Sequence, residues 1–176
     1  MSRNKVSLDA FLQRHRSDII VLDLVKCVDE AVEKIRPQIE AKNQTLIIQL
    51  SPLSKVRANK EGLIRVLAEL LFNAHKFTPS QGEIILKSEK LDQYVKVSIS
   101  DTGIGIPAEF QGSIFGRINS LRGRNVIADT GLGLAMTKII VEDFGGEVGC
   151  ESELNKGSSL PYTFNERVRI KEMATT

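Results

Sequence analysis

An α+β domain, with helices laid over a sheet, is the fold class the sequence predicts, and three stretches predict it. Tyr94 to Ser100 alternates strictly, with Val95, Val97 and Ile99 facing one way and Lys96, Ser98 and Ser100 the other, as in a half-buried strand. Two longer stretches carry apolar residues at helical spacing: Leu24, Cys27, Val28, Ala31, Ile35 and Ile39, then Leu63, Val66, Leu67, Leu70 and Leu71. Glu83 to Glu89 precedes the alternating strand as the other arm of a hairpin around Lys90 to Gln93.

The chain has 176 residues and a mass of 19.5 kDa, the size of one domain, and 41% apolar residues suffice for a core. Residues 1–18 are a mixed polar lead-in, 19–165 form the domain, and 166–176 are a polar tail. Lys plus Arg (24) nearly balance Asp plus Glu (22), and the net charge of +2 gives no long-range reason to bind nucleic acid or an anionic membrane. Any anion site is therefore local. Cys27 and Cys150 lack the spacing of a metal cluster or a disulfide framework, which favours reduced thiols that serve packing, in a cytoplasmic setting. No run approaches the roughly 18 apolar residues of a membrane span. A fragment cut from a membrane receptor would read the same way.

In chain order, the lead-in holds only a short apolar pattern at Leu8, Phe11 and Leu12. His15, between Arg14 and Arg16, lacks an acid to orient it and reads as a surface residue. Ile19 to Leu22 is a short strand, and Asp23 caps the first helix, which is expected to cover the sheet. Leu46 to Leu50 and Lys55 to Ala58 are strands separated by a turn at Pro52 and Ser54. Asn59 caps the second helix, whose first turn carries Glu61 and which Pro79 stops after Thr78. After Pro107 the periodicity disappears from about Gly112 to Thr130, a stretch holding Gly112, Gly116, Gly123, Arg117, Arg122 and Arg124. So long an irregular segment, rich in arginine, suits a lid over phosphates at about 112–130. Gly131-Leu132-Gly133-Leu134 then opens an apolar helix through Met136, Ile139, Ile140, Val141 and Phe144, which Gly145-Gly146 ends. Glu147 to Glu151 and Gly157 to Phe164 supply the last strands.

Three places carry candidate chemistry. Asp101, at the end of the alternating strand, is followed by Gly103, Gly105 and Pro107, so a carboxylate stands beside backbone that can take positive φ or approach a flat ring. A carboxylate accepts from the exocyclic amino group of adenine, whereas the carbonyl that guanine presents there would oppose it. The same residues also describe an ordinary turn. On the second helix, Glu69, Asn73 and Lys76 fall at spacings of four and three, so an acid, an amide and a cation can project from one face into a common space. The Asn carbonyl oxygen suits Mg²⁺ and Lys76 suits phosphate, while a solvated helix face is the plain alternative. His75 points elsewhere. The third place is the Gly131–Leu134 start of the last helix, where backbone amides attract phosphate.

Glu69-x-x-x-Asn73-x-x-Lys76-Phe77-Thr78-Pro79, then Asp101-x-Gly103-x-Gly105-Ile106-Pro107, then Phe115, then Thr130-Gly131-Leu132-Gly133-Leu134 resembles, in order and spacing, the catalytic ATP-binding domain of sensor histidine kinases. The likeness covers residues 21–160, and the wider GHKL superfamily includes DNA gyrase, the MutL repair proteins and a heat-shock chaperone. It implies a two-layer α/β sandwich (the Bergerat fold), a mixed sheet with helices packed on one face and a lid loop over ATP. It also implies ATP and Mg²⁺ as ligands, with Asn73 holding the metal and Glu69, Asn73 and Lys76 as the catalytic set. Asp101 would take the adenine amino group, Gly105 would admit the ring, and Gly131 and Gly133 would wrap the phosphates. Phe77, Gly103, Ile106, Phe115, Arg122, Arg124, Thr130, Leu132 and Leu134 would complete the nucleotide contacts.

Departures from that pattern bear on function. Glu69 stands where many of these kinases have Asn and the superfamily's ATP hydrolases have the acid that polarises water. Asp129 stands where glycine is common. No segment resembles a phosphoacceptor helix, so the phosphoryl group is expected to leave this chain for a histidine domain of the parent kinase, with a response regulator downstream. The isolated domain is expected to be monomeric. Two rivals are a nucleotide-sensing module without catalysis, in which Asp129 stiffens the lid hinge, and a stand-alone ATPase using Glu69 as base.

Overall fold

The structure, a computed structural model, describes residues 18–52, 54–116 and 133–166. The elements run β1 (Ile20–Asp23), α1 (Leu24–Ala41), β2 (Thr45–Gln49), β3 (Lys55–Ala58), α2 (Lys60–Phe77), β4 (Glu83–Leu91), β5 (Tyr94–Asp101), α3 (Ala108–Gln111), α4 (Gly133–Asp143), β6 (Glu151–Glu153) and β7 (Gly157–Asn165). A five-stranded sheet has the order β2-β4-β5-β7-β6, and β1 and β3 form a separate antiparallel ribbon. β2 runs parallel to β4, while the other pairs are antiparallel, so the sheet is mixed.

Register explains which face is buried. Leu86, Ile99 and Leu160 lie opposite one another across three strands, as do Val97 and Tyr162, and Val95 and Phe164, and all are buried. On the other face Lys87, Ser98 and Pro161 line up, as do Ser100 and Ser159, whose hydroxyls are hydrogen-bonded at 2.9 Å. The helices cover the apolar face. α2 packs on β5 and β4, and α4 packs on α2 and β7. α1 departs from expectation by packing chiefly along α2 and touching the sheet only lightly. Its buried stripe, Leu24, Cys27, Val28, Ala31, Val32, Ile35 and Ile39, is covered chiefly by α2. Both long helices are capped as their sequences require. Asp23 Oδ1 accepts from Val25 N–H at 3.0 Å and Asn59 Oδ1 accepts from Gly62 N–H at 3.0 Å, each worth about 1 kcal/mol.

Three boundaries differ from the sequence expectation. The hairpin ladder runs to Leu91↔Tyr94, leaving only Asp92 and Gln93 as the turn; Asp92, at φ 45°, supplies the left-handed residue there. The segment expected as a strand over 147–151 lies along β7 as an isolated bridge at Val148↔Tyr162 rather than a continuous strand, with Thr163 N–H bonded to Glu147 O at 2.9 Å, and β6 begins at Glu151 in the same register. Pro161 is the reason: Gly149 N–H reaches Pro161 O at 2.8 Å, but proline has no N–H to return and the ladder breaks there. Finally, the irregular segment expected from Gly112 starts as ordered turns. Ser113 N–H bonds to Phe110 O and Gly116 N–H to Ser113 O, and Ile114 is buried.

Tyr162 is completely buried on β7, and its hydroxyl has no hydrogen-bond partner among the described residues. Burial pushes its ionisation far upward, with Cys150 and Glu69 adding to the effect. Removing an unsatisfied buried hydroxyl relieves a desolvation cost, so Tyr162→Phe is expected to fold and gain about 1 kcal/mol, or about 2–4 °C in melting temperature. A melt showing a lower midpoint would contradict this.

Candidate nucleotide-binding site

β5, the central strand, ends at Asp101, which pairs with Ile84 on one side and Ser158 on the other. Asp101 Oδ1 accepts from Gly103 N–H at 2.8 Å, an Asx turn that bends the chain back towards α2. Burial raises the Asp101 pKa above the usual carboxylate range, and hydrogen bonds from the Gly103 and Ser158 backbone partly offset that. It is a half-buried acid with acceptor capacity to spare.

The two glycines are required by the chain itself. A Cβ on Gly103 would lie 2.5 Å from Phe77 O and 2.6 Å from Asp101 Oδ1. Gly105 has φ +70°, and a Cβ there would overlap the Glu153 carbonyl. The expectation that Gly105 makes room for a ring therefore meets a different reason: its missing side chain lets the loop seat on the β6–β7 turn. Asn155 N–H bonds to Ile104 O at 2.8 Å, and Ile106 N–H bonds to Ser152 Oγ at 2.7 Å. Gln111 Nε2 donates to Ile106 O and Ser152 O. Ser152, Gln111 and Asn155 were invisible in the sequence because nothing local marks residues whose partners lie as far off as Ile104 does from Asn155.

α2 presents the acid, the amide and the cation along one side, over seven residues or about 10 Å of axis. Glu69 lies in a groove beside α1, near Arg65 and Phe72, and its carboxylate occupies the space a Cβ on Gly133 would take. Lys76 lines a different cleft, of about 330 Å³, with Lys42, Phe77, Thr102, Gly103 and Ile104. Its Nζ stands 5.6 Å from the centre of the Phe77 ring. Asn73 sits between them, only 5% exposed, and neither its Oδ1 nor its Nδ2 has a hydrogen-bond partner among the described residues. Among the described residues the amide is buried, Glu69 is half-buried and Lys76 is exposed.

α2 and α4 run antiparallel and close. Gly62 faces Phe144 and Ile140, and Glu69, about 10 Å further along, faces Gly133 at the start of α4. Thr137 Oγ1 bonds to Gly133 O at 2.9 Å within that first turn. Leu134 is a core residue rather than a surface one, and Phe115 packs edge-on against Tyr162 with centroids 6.2 Å apart. His75 is half-buried, its Nδ1 2.7 Å from Gln44 Oε1, with its pKa lowered first by burial and then by Lys42. Arg117, Arg122, Arg124, Asp129, Thr130, Gly131 and Leu132, like His15, lie outside the described residues.

The arrangement is a half-buried carboxylate at the end of β5, a buried amide without a partner among the described residues, a lysine and the start of α4. The family described as "Histidine kinase-, DNA gyrase B-, and HSP90-like ATPase" matches residues 58–168. The chain belongs to that family. Within it, this ATPase domain is of the histidine-kinase type, an ATP-binding catalytic domain of a sensor kinase. The adaptive-response sensory kinase SasA of Thermosynechococcus vestitus is 36% identical over 144 residues, 81% of this chain and 38% of its own. The catalytic domain of histidine kinase ThkA superposes with a TM-score of 0.75 at 25% identity, covering 85% of this chain and 96% of ThkA's. Full-length ShkA in complex with AMPPNP superposes with a TM-score of 0.71 at 25% identity, over 84% of this chain and 31% of its own. The kinase domain thus spans about two fifths of the SasA sequence. Among the described residues no helix is long and apolar enough to cross a membrane.

Proposed function

We propose that this domain binds Mg·ATP and passes the γ-phosphoryl group to a histidine side chain on a phosphoacceptor domain of its parent protein, from which a response regulator receives it. One observation carries the proposal: Asn73, an amide buried in the middle of α2 with neither polar atom paired among the described residues. Each unsatisfied buried group costs about 1–3 kcal/mol, and such a cost persists where a ligand repays it. The Asn73 oxygen is a hard ligand of the kind Mg²⁺ takes beside substrate phosphates. Bound there, Mg²⁺ would supply neutralisation of phosphate charge.

The chain's own residues supply the rest. Asp101 accepts the adenine amino hydrogen and so orients the base at the end of β5. Lys76, one turn beyond Asn73, meets the negative charge of the phosphate chain. The first turn of α4, with Gly131 to Gly133 before it, offers amides and the positive end of a helix. Arg122 and Arg124 are assigned to closing over the phosphates. Phosphoryl transfer asks mainly for positioning and charge neutralisation, and these residues provide both. We place the domain in the cytoplasm and take it to be monomeric on its own.

A second reading, a self-sufficient ATPase, is favoured by the Glu69 carboxylate lying against Gly133, at the helix start assigned to the phosphates. Incubating the domain with γ-labelled ATP and the phosphoacceptor domain of its parent separates the readings. Label on the acceptor protein supports transfer. Phosphate release that Glu69→Gln abolishes supports hydrolysis, and neither result, with ATP still bound, supports a sensing module.

A further inference from the structure

We propose that Lys42 and Gln44, from the connection between α1 and β2, are positioning residues for this site, holding the last turn of α2 in register with the Asp101–Gly105 loop. The proposal rests on the nucleotide reading above. A helix ends with four carbonyls that lack intrahelical partners, and in α2 these belong to Ala74, His75, Lys76 and Phe77. Thr78 N–H closes on Ala74 O at 3.0 Å. The others are met from outside the helix. Lys42 Nζ donates to His75 O at 3.0 Å, to Lys76 O at 3.3 Å and, beyond the helix, to Thr78 O at 2.5 Å. Gln44 Nε2 donates to His75 O at 3.1 Å, Thr78 O at 2.7 Å and Pro79 O at 3.3 Å.

Gln44 is 7% exposed and fastened at both ends of its amide. Because Nε2 is committed to carbonyls, Oε1 is the acceptor facing His75, and Nδ1 of that ring carries the hydrogen. Phe77 O, the remaining carbonyl, receives Ile104 N–H at 3.4 Å, with Gly103 pressed against it on the same side. The last turn of α2 is therefore clamped between two walls, one of Lys42 and Gln44 and one of the Gly103–Ile104 backbone. Lys76 and Phe77 ride in that turn, and Asn73 lies one turn earlier.

Water could satisfy exposed carbonyls at a helix end, but water leaves the end free to shift. A lysine ammonium against the negative end of the helix dipole, shared among three carbonyls, opposes that shift. Asp101, by contrast, is held by β5 and by Gly103 N–H. Loosening the clamp therefore displaces the phosphate end of the site more than the base end. Since displacements of about 1 Å are costly to positioned chemistry, the effect should fall on phosphate-dependent affinity.

The test uses the full chain with Lys42→Met and Lys42→Arg, each measured for Mg·ATP binding by calorimetry, for adenosine binding by competition, and for thermal stability. K42M is expected to weaken ATP about tenfold and adenosine less than about twofold. K42R, which keeps donors and charge, should stay within about threefold of wild type for both ligands. Parallel losses for ATP and adenosine would reduce Lys42 to a plain stabiliser and overturn the proposal, as would no loss at all or a K42R no better than K42M. If K42M does not fold, Lys42→Gln is judged by the same criteria. Wild-type chain that binds neither ligand defeats the nucleotide reading first, which separates the two failures.

Discussion

Asn73→Leu is expected to make the domain more stable and to silence it. The replacement keeps the branched shape and the number of side-chain heavy atoms and removes two buried polar atoms that no described residue satisfies. At about 1–3 kcal/mol for relieving an unsatisfied buried group, the melting temperature should rise by several degrees in a chain of this size. The same change deletes the oxygen assigned to Mg²⁺. Losing even a supporting partner of a metal ligand costs about 10–100-fold, so losing the ligand itself should reduce phosphotransfer at least about a hundredfold. Thermal melts check the first half, where the variant should start higher than wild type and gain less from Mg·ATP than wild type does, and transfer of label from γ-labelled ATP to the phosphoacceptor domain checks the second. A variant that melts lower, or still transfers phosphoryl at the wild-type rate, removes the basis for giving Asn73 this role.

Asp101→Ala is expected to weaken ATP by about ten- to a hundredfold, because a hydrogen bond to a charged group is worth about 1.5–3 kcal/mol. Calorimetry on the variant, together with wild-type selectivity for ATP over GTP, measures it. ATP bound as tightly by the variant, or GTP bound as tightly by wild type, would sink the assignment. The pH dependence follows from burial, which raises the Asp101 pKa. Binding that needs the carboxylate should fade as pH drops through a value above the ordinary carboxylate range.

Stability of the empty domain runs the other way. Between the unfolded Asp value, about 3.9, and the higher folded one, the folded chain holds more of this proton than the unfolded chain, so the Asp101 contribution to stability falls as pH rises across that window. Asp101→Asn, which keeps an oxygen for Gly103 N–H, should therefore be more stable than wild type at pH 7, with the difference vanishing below about pH 3. A wild type that is the more stable of the two at neutral pH would show that the carboxylate is better solvated than its burial implies.

α2 was legible because its information is periodic and local. Leu63, Val66, Leu67, Leu70 and Leu71 state a face, Asn59 states a beginning, and Pro79 states an end. β5 was legible for the same reason, and so was the position of Asp101 at its tip. The role of Pro161 was not, because a proline inside a strand breaks a ladder only on the side where its N–H was needed, and that side depends on which strand lies there.

What the residue order determined by itself is the set of chemical groups and their sequence: the acid and amide of α2, the carboxylate and glycines after β5, and the glycine-opened α4. Neighbouring residues share a local backbone, so short-range pattern is enough to state them. Only the tertiary structure decided that Glu69 lies against Gly133, that Gly105 is demanded by Glu153, and that Lys42 and Gln44 reach the end of a helix more than thirty residues away. Those contacts arise when separate elements pack on a common core, and no spacing along the chain encodes the distance across it.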